Sequence, residues 1–185
     1  MTNENVGINV ESNSHIFHTV DITADEDSDP FEKMKDLRLK HPKNVIIAYL
    51  NINSVRNKFE TFSHMMKNYV DVLVIAETKL DSSFPQQQFL LNGFKQPYRL
   101  DVTSNSGGLL VYVNDQIPSK EIKSVSIPND IQAIPIELIL RKCKWLLLPI
   151  YKPPSQNEVY FIDQLQKISD SLSNSIKKLS NSWRF

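Results

Sequence analysis

Residues 44–80 read NVIIAYLNINSVRNKFETFSHMMKNYVDVLVIAETKL, and this stretch decides the fold. It opens with a dense run of β-type residues, 44–50, and a second such run follows at 70–76. Between them, apolar residues at every third or fourth position predict an amphipathic helix over 55–69: Phe59, Phe62, Met65, Met66 and Tyr69. Both β-type runs end in polar residues. A strand, a helix and a strand in this order predict a βαβ-like unit, which carries functional groups where its strands end.

The sequence on either side of this unit supplies further helices and strands. Upstream, Asp29-Pro30 and an apolar residue at every third position after it predict a helix over 29–42. From about Pro97, β-type runs replace the helical pattern, at 98–102, 109–113, 134–140 and 145–151. A basic hairpin turn, 141–144, joins the last two runs. The clearest amphipathic helix covers about 158–180.

Composition excludes several classes of protein. One cysteine and four glycines in 185 residues exclude a disulfide framework, a clustered-cysteine zinc site and glycine-rich fibres. Hydrophobic residues make up 41% of the chain, which is enough for a packed core. No stretch is long and apolar enough to span a membrane, and the first residues do not resemble a signal peptide. We therefore expect a soluble, intracellular α/β or α+β protein.

The net charge of zero hides an asymmetry along the chain. Residues 1–32 carry eight acidic side chains and no Lys or Arg, so residues 33–185 have a net charge of +8. A basic body is compatible with nucleic acid as a polyanionic partner, and equally with an ordinary solvated surface. Residues 1–28 are predicted to form a flexible acidic arm.

Three polar side chains stand where predicted strands end: Asn51, Glu77 and Tyr151. A carboxylate there suits a hard cation such as Mg²⁺, an amide can orient a phosphate, and a phenol can donate to a phosphoryl oxygen. Taken alone, each residue is better explained by structure: Asn51 as a turn former, Glu77 as a solvated carboxylate and Tyr151 as a half-buried anchor. Gly107-Gly108 precedes a strand and no serine lies in a nucleophile elbow, so no small-molecule cofactor is expected.

Four runs of sequence, in order and sensibly spaced, resemble the motifs of one enzyme superfamily. They are LNINSVRNK at 50–58, IAETKL at 75–80, YRLD at 98–101 with GGLLVYV at 107–113, and IYKPPS at 150–155. Together they resemble the endonuclease/exonuclease/phosphatase superfamily and, more narrowly, the N-terminal part of the apurinic-type endonuclease domain of non-LTR retrotransposons. The resemblance covers roughly residues 43–180, and it implies a Mg²⁺-dependent endonuclease that hydrolyses DNA phosphodiesters.

The resemblance also implies a role for each matching residue. Asn51 and Tyr151 would be catalytic, the asparagine within the active site and the tyrosine oriented toward the scissile phosphate. Glu77 would bind the metal ion, with Asn53 beside it where some relatives carry an aspartate. The expected phosphate contacts are Arg56, Lys79 and Lys152. For these three basic residues, a role in solubility alone is an equal alternative.

Two motifs that follow in the superfamily do not occur in this sequence. One resembles Gly-Asp-Phe-Asn, and the other, Ser-Asp-His, supplies a histidine base with its aspartate. No histidine occurs after His64, and the later aspartates, Asp163 and Asp170, lie inside the predicted long helix. A positioned general base contributes about 10²–10⁴-fold to the rate. This polypeptide on its own is therefore expected to have little or no nuclease activity and weakened Mg²⁺ binding.

The expected architecture follows from the part of the superfamily that the motifs cover. It is a partial four-layer endonuclease/exonuclease/phosphatase sandwich, α/β in class, made mainly of the first sheet with its flanking helices. The expected divisions are a flexible acidic arm (1–28), a lead-in helix (29–42) and a truncated domain (43–185). If only the first sheet is encoded, its inner face is left as an exposed apolar patch that favours self-association.

Two other hypotheses compete with a truncated DNA endonuclease. The first is a non-catalytic nucleic-acid-binding remnant that uses the basic body of the chain. The second is an inert genomic relic without a function of its own. Within the superfamily, a sugar- or lipid-phosphate phosphatase is a weaker option, because the run at 50–58 favours the retroelement branch.

Overall fold

The computed structural model describes residues 30–66 and 68–181, and the predicted acidic arm lies outside these residues. The described residues form three α-helices, nine strands and one 3₁₀ turn. In chain order these are α1 (Pro30–Lys40), β1 (Ile47–Asn51), α2 (Phe59–Met66), β2 (Val72–Ala76), the 3₁₀ turn (Gln86–Phe89), β3 (Tyr98–Leu100), β4 (Leu109–Val113), β5 (Ser119–Glu121), β6 (Gln132–Ala133), β7 (Ile136–Leu140), β8 (Cys143–Leu147), β9 (Ile150–Tyr151) and α3 (Glu158–Asn181). No helix among them is long and apolar enough to cross a membrane.

The first sheet has the strand order β1-β2-β4-β3. β1 and β2 run parallel, while β4 is antiparallel to both β2 and β3. The five residues of β2 and the five of β4 are all buried, as expected for central strands covered on both faces. The predicted strand–helix–strand unit is therefore present, and its two strands are neighbours in the sheet.

Alternate residues of the central strands enter two different hydrophobic cores. Leu73 and Ile75 of β2 and Leu110 and Tyr112 of β4 point to the outer side, where they join residues of α1, α2 and the 3₁₀ turn. The intervening residues point to the inner side, where they contact a second layer of strands. This two-residue alternation is the period of a pleated strand.

The second layer consists of a three-stranded sheet, β5-β7-β8, and a two-stranded pair, β6-β9. Ile136 and Leu138 of β7 pack against the inner face of β2 and β4. The expectation that the first sheet's inner face stays uncovered is therefore wrong for these two strands. At β1 the cover is partial: Ile47 and Tyr49 remain 44% and 55% exposed, and the Tyr49 hydroxyl donates to the Ile150 carbonyl oxygen of β9 at 3.4 Å.

Helix α3 covers the other side of the second layer. Its buried residues Phe161, Ile168 and Leu172 pack with Ala133 of β6, among others. The layers therefore follow the order helix, sheet, sheet, helix, which agrees with the expected α/β class. The predicted helix at 158–180 is confirmed almost to the residue, since its long apolar stripe is a strong signal.

Two prolines divide the long β-type runs that the sequence suggested at 134–140 and 145–151. Pro135 separates β6 from β7, and Pro149 separates β8 from β9. Proline has no backbone N–H to donate to a strand ladder. The two prolines therefore interrupt the ladder at nearby positions on the two facing segments. As a result β7 pairs with β8, whereas β6 pairs with β9, and Tyr151 stands opposite Gln132.

Local geometry differs from prediction at two turns. The hairpin between β7 and β8 uses only Arg141 and Lys142, both with positive φ, which is the geometry of a two-residue type I′ turn. Helix α2 begins four residues later than predicted. The backbone N–H groups of Ser54 and Val55 donate instead to the carbonyl oxygens of Glu77 and Thr78, at 2.7 and 3.1 Å.

Candidate active site

The site lies at one edge of the first sheet, which we call the rim. The carboxyl ends of β1, β2 and β3 meet there with the amino end of β4, because β4 is antiparallel to β2 and β3. Asn51 is the last residue of β1, and Glu77 directly follows β2. Gly107-Gly108 leads into β4 at the same edge. Local sequence order alone therefore brings the amide and the carboxylate to one place.

Asn51, Glu77 and Tyr151 converge on a single carboxylate oxygen, and we call these three residues the Glu77 cluster. The Asn51 Nδ2 donates to Glu77 Oε1 at 2.9 Å, and the Tyr151 hydroxyl donates to the same oxygen at 2.5 Å. Tyr151 arrives from the second layer, through the pairing of β9 with β6, and is 9% exposed. Both layers thus contribute to the cluster.

These contacts shift the pKa values of the two acidic groups in opposite directions. Hydrogen bonds from Tyr151 and then Asn51 lower the pKa of Glu77 below its ordinary value, with a smaller contribution from the Lys79 charge. Burial, together with the Glu77 carboxylate, raises the pKa of Tyr151 far above its ordinary value. At neutral pH the cluster therefore holds an ionised carboxylate and a protonated phenol that acts as a hydrogen-bond donor.

The lowered pKa of Glu77 predicts a specific acid dependence of stability. Because the pKa is lower in the folded than in the unfolded state, the ionised carboxylate stabilises the fold above the ordinary glutamate range, and this stabilisation is lost as the pH falls through the folded pKa. Tyr151→Phe removes the largest cause of the shift. Urea unfolding between about pH 3 and pH 5 should show a shallower pH slope in this variant. Equal slopes in the variant and the wild type would contradict the hydrogen bond.

A second pair of polar side chains lies beside the cluster. The Lys79 Nζ donates to Asn53 Oδ1 at 2.5 Å, and the Asn53 backbone N–H donates to Asn51 Oδ1 at 3.2 Å. Asn53 and Lys79 both have positive φ, as do Ser54 and Glu77. Such backbone strain in residues other than glycine is typical of functional sites. The Asn53 amide, expected beside a metal ion, is paired with an ammonium group in this structure.

Arg56 is fixed by the backbone of two loops. Its Nε and Nη2 donate to the Lys79 carbonyl oxygen at 3.2 and 2.8 Å, and Nη2 also donates to the Ser104 carbonyl oxygen. Its guanidinium lies over the Phe84 ring, 4.9 Å from the centroid. The structure thus places the Arg56 guanidinium against the backbone of Lys79, two residues after Glu77.

Lys152 follows Tyr151 and is half-buried. No hydrogen bond or ion pair among the described residues joins Lys152 to the Glu77 cluster. Its predicted role as a phosphate contact stays a prediction. Asp101 of the third motif has a structural contact: it binds Arg99 Nε at 2.6 Å, and Arg99 in turn donates to the carbonyl oxygens of Asp81 and Phe84, both at 2.8 Å.

Two supporting residues were missed by the sequence analysis. Gln132 is buried in β6, and its Oε1 accepts a hydrogen bond from the Gly108 backbone N–H at 2.9 Å. Thr78, fully buried between Glu77 and Lys79, packs against Gly108. Thr78 lies within the second motif without an assigned role, and Gln132 has no chemical pattern around it. Only its pairing with Tyr151 across β6 and β9 reveals its role.

Gly108 is predicted to be indispensable to this packing. Its φ is +93°, and a Cβ added there would overlap the Thr78 hydroxyl. Gly108→Ala should cost about 1–2 kcal/mol for the backbone and about 1–3 kcal/mol more for overpacking. Gly93→Ala is the matched control, because its φ is +87° and a Cβ there meets nothing within 4 Å. Equal unfolding free energies for the two variants, measured in urea, would show that the Thr78 contact has no energetic weight.

The side chains of the rim fit a magnesium ion held mainly by one carboxylate. Among the described residues, no group of three or more His, Cys, Asp or Glu side chains is placed to hold a metal ion. Glu77 Oε2, however, accepts no hydrogen bond from a described residue, whereas Oε1 accepts two. Mg²⁺ commonly takes one or two protein carboxylates and completes its octahedron with water and substrate phosphate. Glu77 meets that requirement.

Three solved structures are similar to this chain over part of its length. The endonuclease domain of TRAS1, a telomere-specific non-LTR retrotransposon, is 10% identical, with a TM-score of 0.49 over 70% of this chain and 54% of that chain. A 3′-5′ exonuclease (NExo) from Neisseria meningitidis is 17% identical, with a TM-score of 0.48 over 71% and 52%. A structure of the 3′ phosphatase NExo from Neisseria bound to a product DNA hairpin is 15% identical, with a TM-score of 0.43 over 75% and 53%.

This chain therefore spans about half the length of each of these structures. No protein-family model matches the sequence. No curated protein matches it either. The function proposed below rests on the geometry of the rim and on the four motifs.

Proposed function

We propose that the rim is the metal- and phosphate-binding part of a Mg²⁺-dependent DNA endonuclease site of the retrotransposon type. The observation that supports this proposal most is the convergence of Asn51 and Tyr151 on one oxygen of Glu77. These three residues belong to three of the four motifs and are up to 100 positions apart in sequence. Residues that serve only in turns or in solubility are not expected to converge on one carboxylate oxygen.

Each residue of the rim has a distinct task in this proposal. Glu77 would hold Mg²⁺ with the oxygen that accepts no hydrogen bond from Tyr151 or Asn51, and the ion would supply positive charge to offset the charge that develops on a phosphate. Tyr151 keeps its proton and donates a hydrogen bond. Asn51 orients the carboxylate. Lys79 and Arg56 supply positive charge that attracts and holds a phosphodiester.

The same geometry explains why we propose little or no activity for this polypeptide alone. No histidine and no second carboxylate among the described residues contacts the Glu77 cluster. His41 precedes β1, at the opposite end of the strand from Asn51. Without a group that activates water, the rim binds and orients a phosphodiester. The rate of hydrolysis is then about 10²–10⁴-fold lower than with a positioned general base.

A nicking assay tests the proposal. Supercoiled plasmid is incubated with the protein and Mg²⁺, and DNA binding is measured in parallel over a series of salt concentrations. We expect binding that weakens steeply with salt, and nicking that is slow or undetectable. Any nicking that does occur should disappear in Glu77→Ala. Nicking of equal rate in this variant, or DNA binding that does not respond to salt, would count against the proposal.

A non-catalytic nucleic-acid-binding function is the second candidate. The lack of a water-activating group at the described rim favours it, because binding by Lys79 and Arg56 needs no such group. The two candidates differ in their response to metal. If the rim is a hydrolytic site, Mg²⁺ strengthens phosphate binding through Glu77. If it only binds nucleic acid, affinity is the same with Mg²⁺ and with a chelator.

The proposed truncation is tested in the source DNA rather than in the protein. An in-frame Asp-x-Asn and Ser-Asp-His encoded downstream of residue 185 would support a piece of an intact enzyme. Their absence would favour the binding remnant or the inert relic.

A further inference from the structure

The two-stranded pair β6-β9 has one face toward α3 and one face toward the first sheet. Gln132 stands opposite Tyr151, and Ala133 stands opposite Ile150. Residues directly opposite each other in an antiparallel pair lie on the same face. Ala133 and Ile150 pack with the residues of α3. Gln132 and Tyr151, both buried, therefore share the face that is turned toward the first sheet.

The Gln132 side chain crosses to the loop that leads into β4. Its Oε1 accepts a hydrogen bond from the Gly108 backbone N–H at 2.9 Å. Gly107 leaves room for this side chain, because a Cβ added to Gly107 would lie 2.6 Å from the Gln132 Oε1. The glycine pair of the third motif thus forms a seat for an amide that comes from the second layer.

The same glycine loop is bonded to the segment that follows β2. The Gly107 carbonyl oxygen accepts from the Lys79 backbone N–H at 2.9 Å, and the Gly108 carbonyl oxygen accepts from the Thr78 backbone N–H at 3.4 Å. Thr78 and Lys79 are the two residues directly after Glu77. The loop that seats the amide is therefore attached to the backbone next to the carboxylate of the rim.

These contacts close into a ring that includes the Glu77 carboxylate. The ring passes from Gln132 through Gly108 and Thr78 to Glu77, and it returns from Glu77 Oε1 through the Tyr151 hydroxyl at 2.5 Å. The pairing of β9 with β6 completes it. Hydrogen bonds that form a connected network hold one another in place and are worth more together than singly. Gln132 is the member of this ring farthest from the carboxylate.

Strand β9 needs such an anchor because its own pairing is short. It has two residues, Pro149 precedes it, and Pro153 follows two residues after Tyr151. Prolines cannot donate to a ladder, so few backbone hydrogen bonds fix the height of β9 above the rim. The Gln132 bond to Gly108 adds a second link between the layers, beside the one that Tyr151 makes.

We propose that Gln132 is a positioning residue of the rim: it holds Tyr151 on Oε1 of Glu77 and so keeps Oε2 available to a divalent cation. The inference rests on the proposed function and adds to it a residue outside the four motifs. Groups that hydrogen-bond a metal ligand commonly contribute about 10–100-fold to metal affinity. Gln132 acts one contact further away, through Tyr151, so its contribution should be smaller.

The test measures Mn²⁺ affinity by electron paramagnetic resonance in Gln132→Met, in Tyr151→Phe and in the double variant. Methionine keeps the volume of glutamine without an acceptor for the Gly108 N–H. We expect Tyr151→Phe to weaken Mn²⁺ binding at least about tenfold and Gln132→Met about three- to tenfold. If Gln132 acts through Tyr151, the double variant binds Mn²⁺ as Tyr151→Phe does. Gln132→Asn, whose amide is one methylene too short, should act like Gln132→Met and replaces it if that variant does not fold.

Leu165→Ala is the matched control for a general loss of stability. Leu165 is half-buried on α3 and packs against the other side of the second layer, away from the ring. This variant should unfold at lower urea concentration and bind Mn²⁺ with unchanged affinity. Mn²⁺ binding that weakens equally in Leu165→Ala and Gln132→Met would overturn the proposal, since any destabilisation would then have the same effect.

A second readout needs no metal ion. Urea unfolding of the wild type, the two single variants and the double variant forms a double-mutant cycle. Because Gln132→Met already loosens the Tyr151 contact, the double variant should change the unfolding constant less than the product of the two single changes, by about threefold or more. Effects that simply multiply would overturn the proposal, as would Gln132→Met weakening Mn²⁺ binding further in the Tyr151→Phe background. A wild type that binds no Mn²⁺ but shows the coupling defeats only the proposed hydrolytic function.

Discussion

Replacing Glu77 with glutamine is expected to weaken divalent-metal binding at the rim by at least about tenfold, and by more than 100-fold if no other ligand compensates. Glutamine keeps the shape of glutamate and its Oε1 still accepts hydrogen bonds from Asn51 and Tyr151. The fold around the cluster should therefore survive, while the negative charge and the free oxygen suited to a hard cation are lost. Titration with Mn²⁺, followed by electron paramagnetic resonance, measures the affinity directly and needs no catalysis.

The matched control for this experiment is Glu137→Gln. Glu137 is a buried carboxylate, whereas Glu77 is half-buried, and Glu137 pairs with Lys120 at 3.4 Å and Lys144 at 3.3 Å in the second layer. Its charge is already balanced and it lies on β7, away from the rim. Glu137→Gln should leave Mn²⁺ affinity unchanged. If both variants lose affinity to the same extent, or if Glu77→Gln loses none, the metal assignment to Glu77 is wrong.

The position of Asn51 and Glu77 could be predicted from sequence because it depends on local order. Two parallel strands joined by one helix bring their carboxyl ends to the same edge, and the polar residue after each strand is visible in the sequence. Tyr151 is different. No periodicity links it to the rim, and only the resemblance of 150–155 to the fourth motif brought it into the expected site.

The hairpin of β7 and β8 was predicted from the sequence, but the short strands of the second layer could not be, for a physical reason. Strands β6 and β9 have two residues each and β5 has three, which is too short for an alternating pattern to be distinguished from chance. Their pairing is also set by Pro135 and Pro149 together, so neither proline is informative without the other. Because these short strands gave no sequence signal, the sequence predicted a first sheet whose inner face is uncovered.

The finer geometry of the rim depends on contacts between distant residues. Lys79 pairs with Asn53 across 26 positions, and Arg56 reaches Ser104 across 48. The positive φ values of Glu77 and Lys79 are equally hidden, because sequence signals for that conformation come from glycine, asparagine and aspartate. Motif matching identified these residues, but it could not show that Lys79 would pair with the Asn53 amide rather than leave it free for a metal ion.

Truncation of one residue between the two layers should have the largest effect on stability. Ile136 of β7 is completely buried against the inner face of the first sheet. Ile136→Ala removes apolar contacts and leaves a cavity, which should lower the free energy of unfolding by about 2–5 kcal/mol. Urea unfolding followed by circular dichroism measures the loss. A domain of this size is commonly stable by only about 5–15 kcal/mol, so the variant is expected to be close to unfolding at 37 °C.

The matched substitution is Ile47→Ala on the same inner face, at the edge strand β1. Ile47 is 44% exposed because the second layer covers β1 only in part, so its loss should cost only about 1 kcal/mol. The contrast between the two isoleucines decides whether the second layer is an integral part of the domain. If Ile136→Ala were as mild as Ile47→Ala, the strands after β4 would be loosely attached. Tyr151 would then have no fixed path to Glu77, since β9 reaches the rim only through that layer.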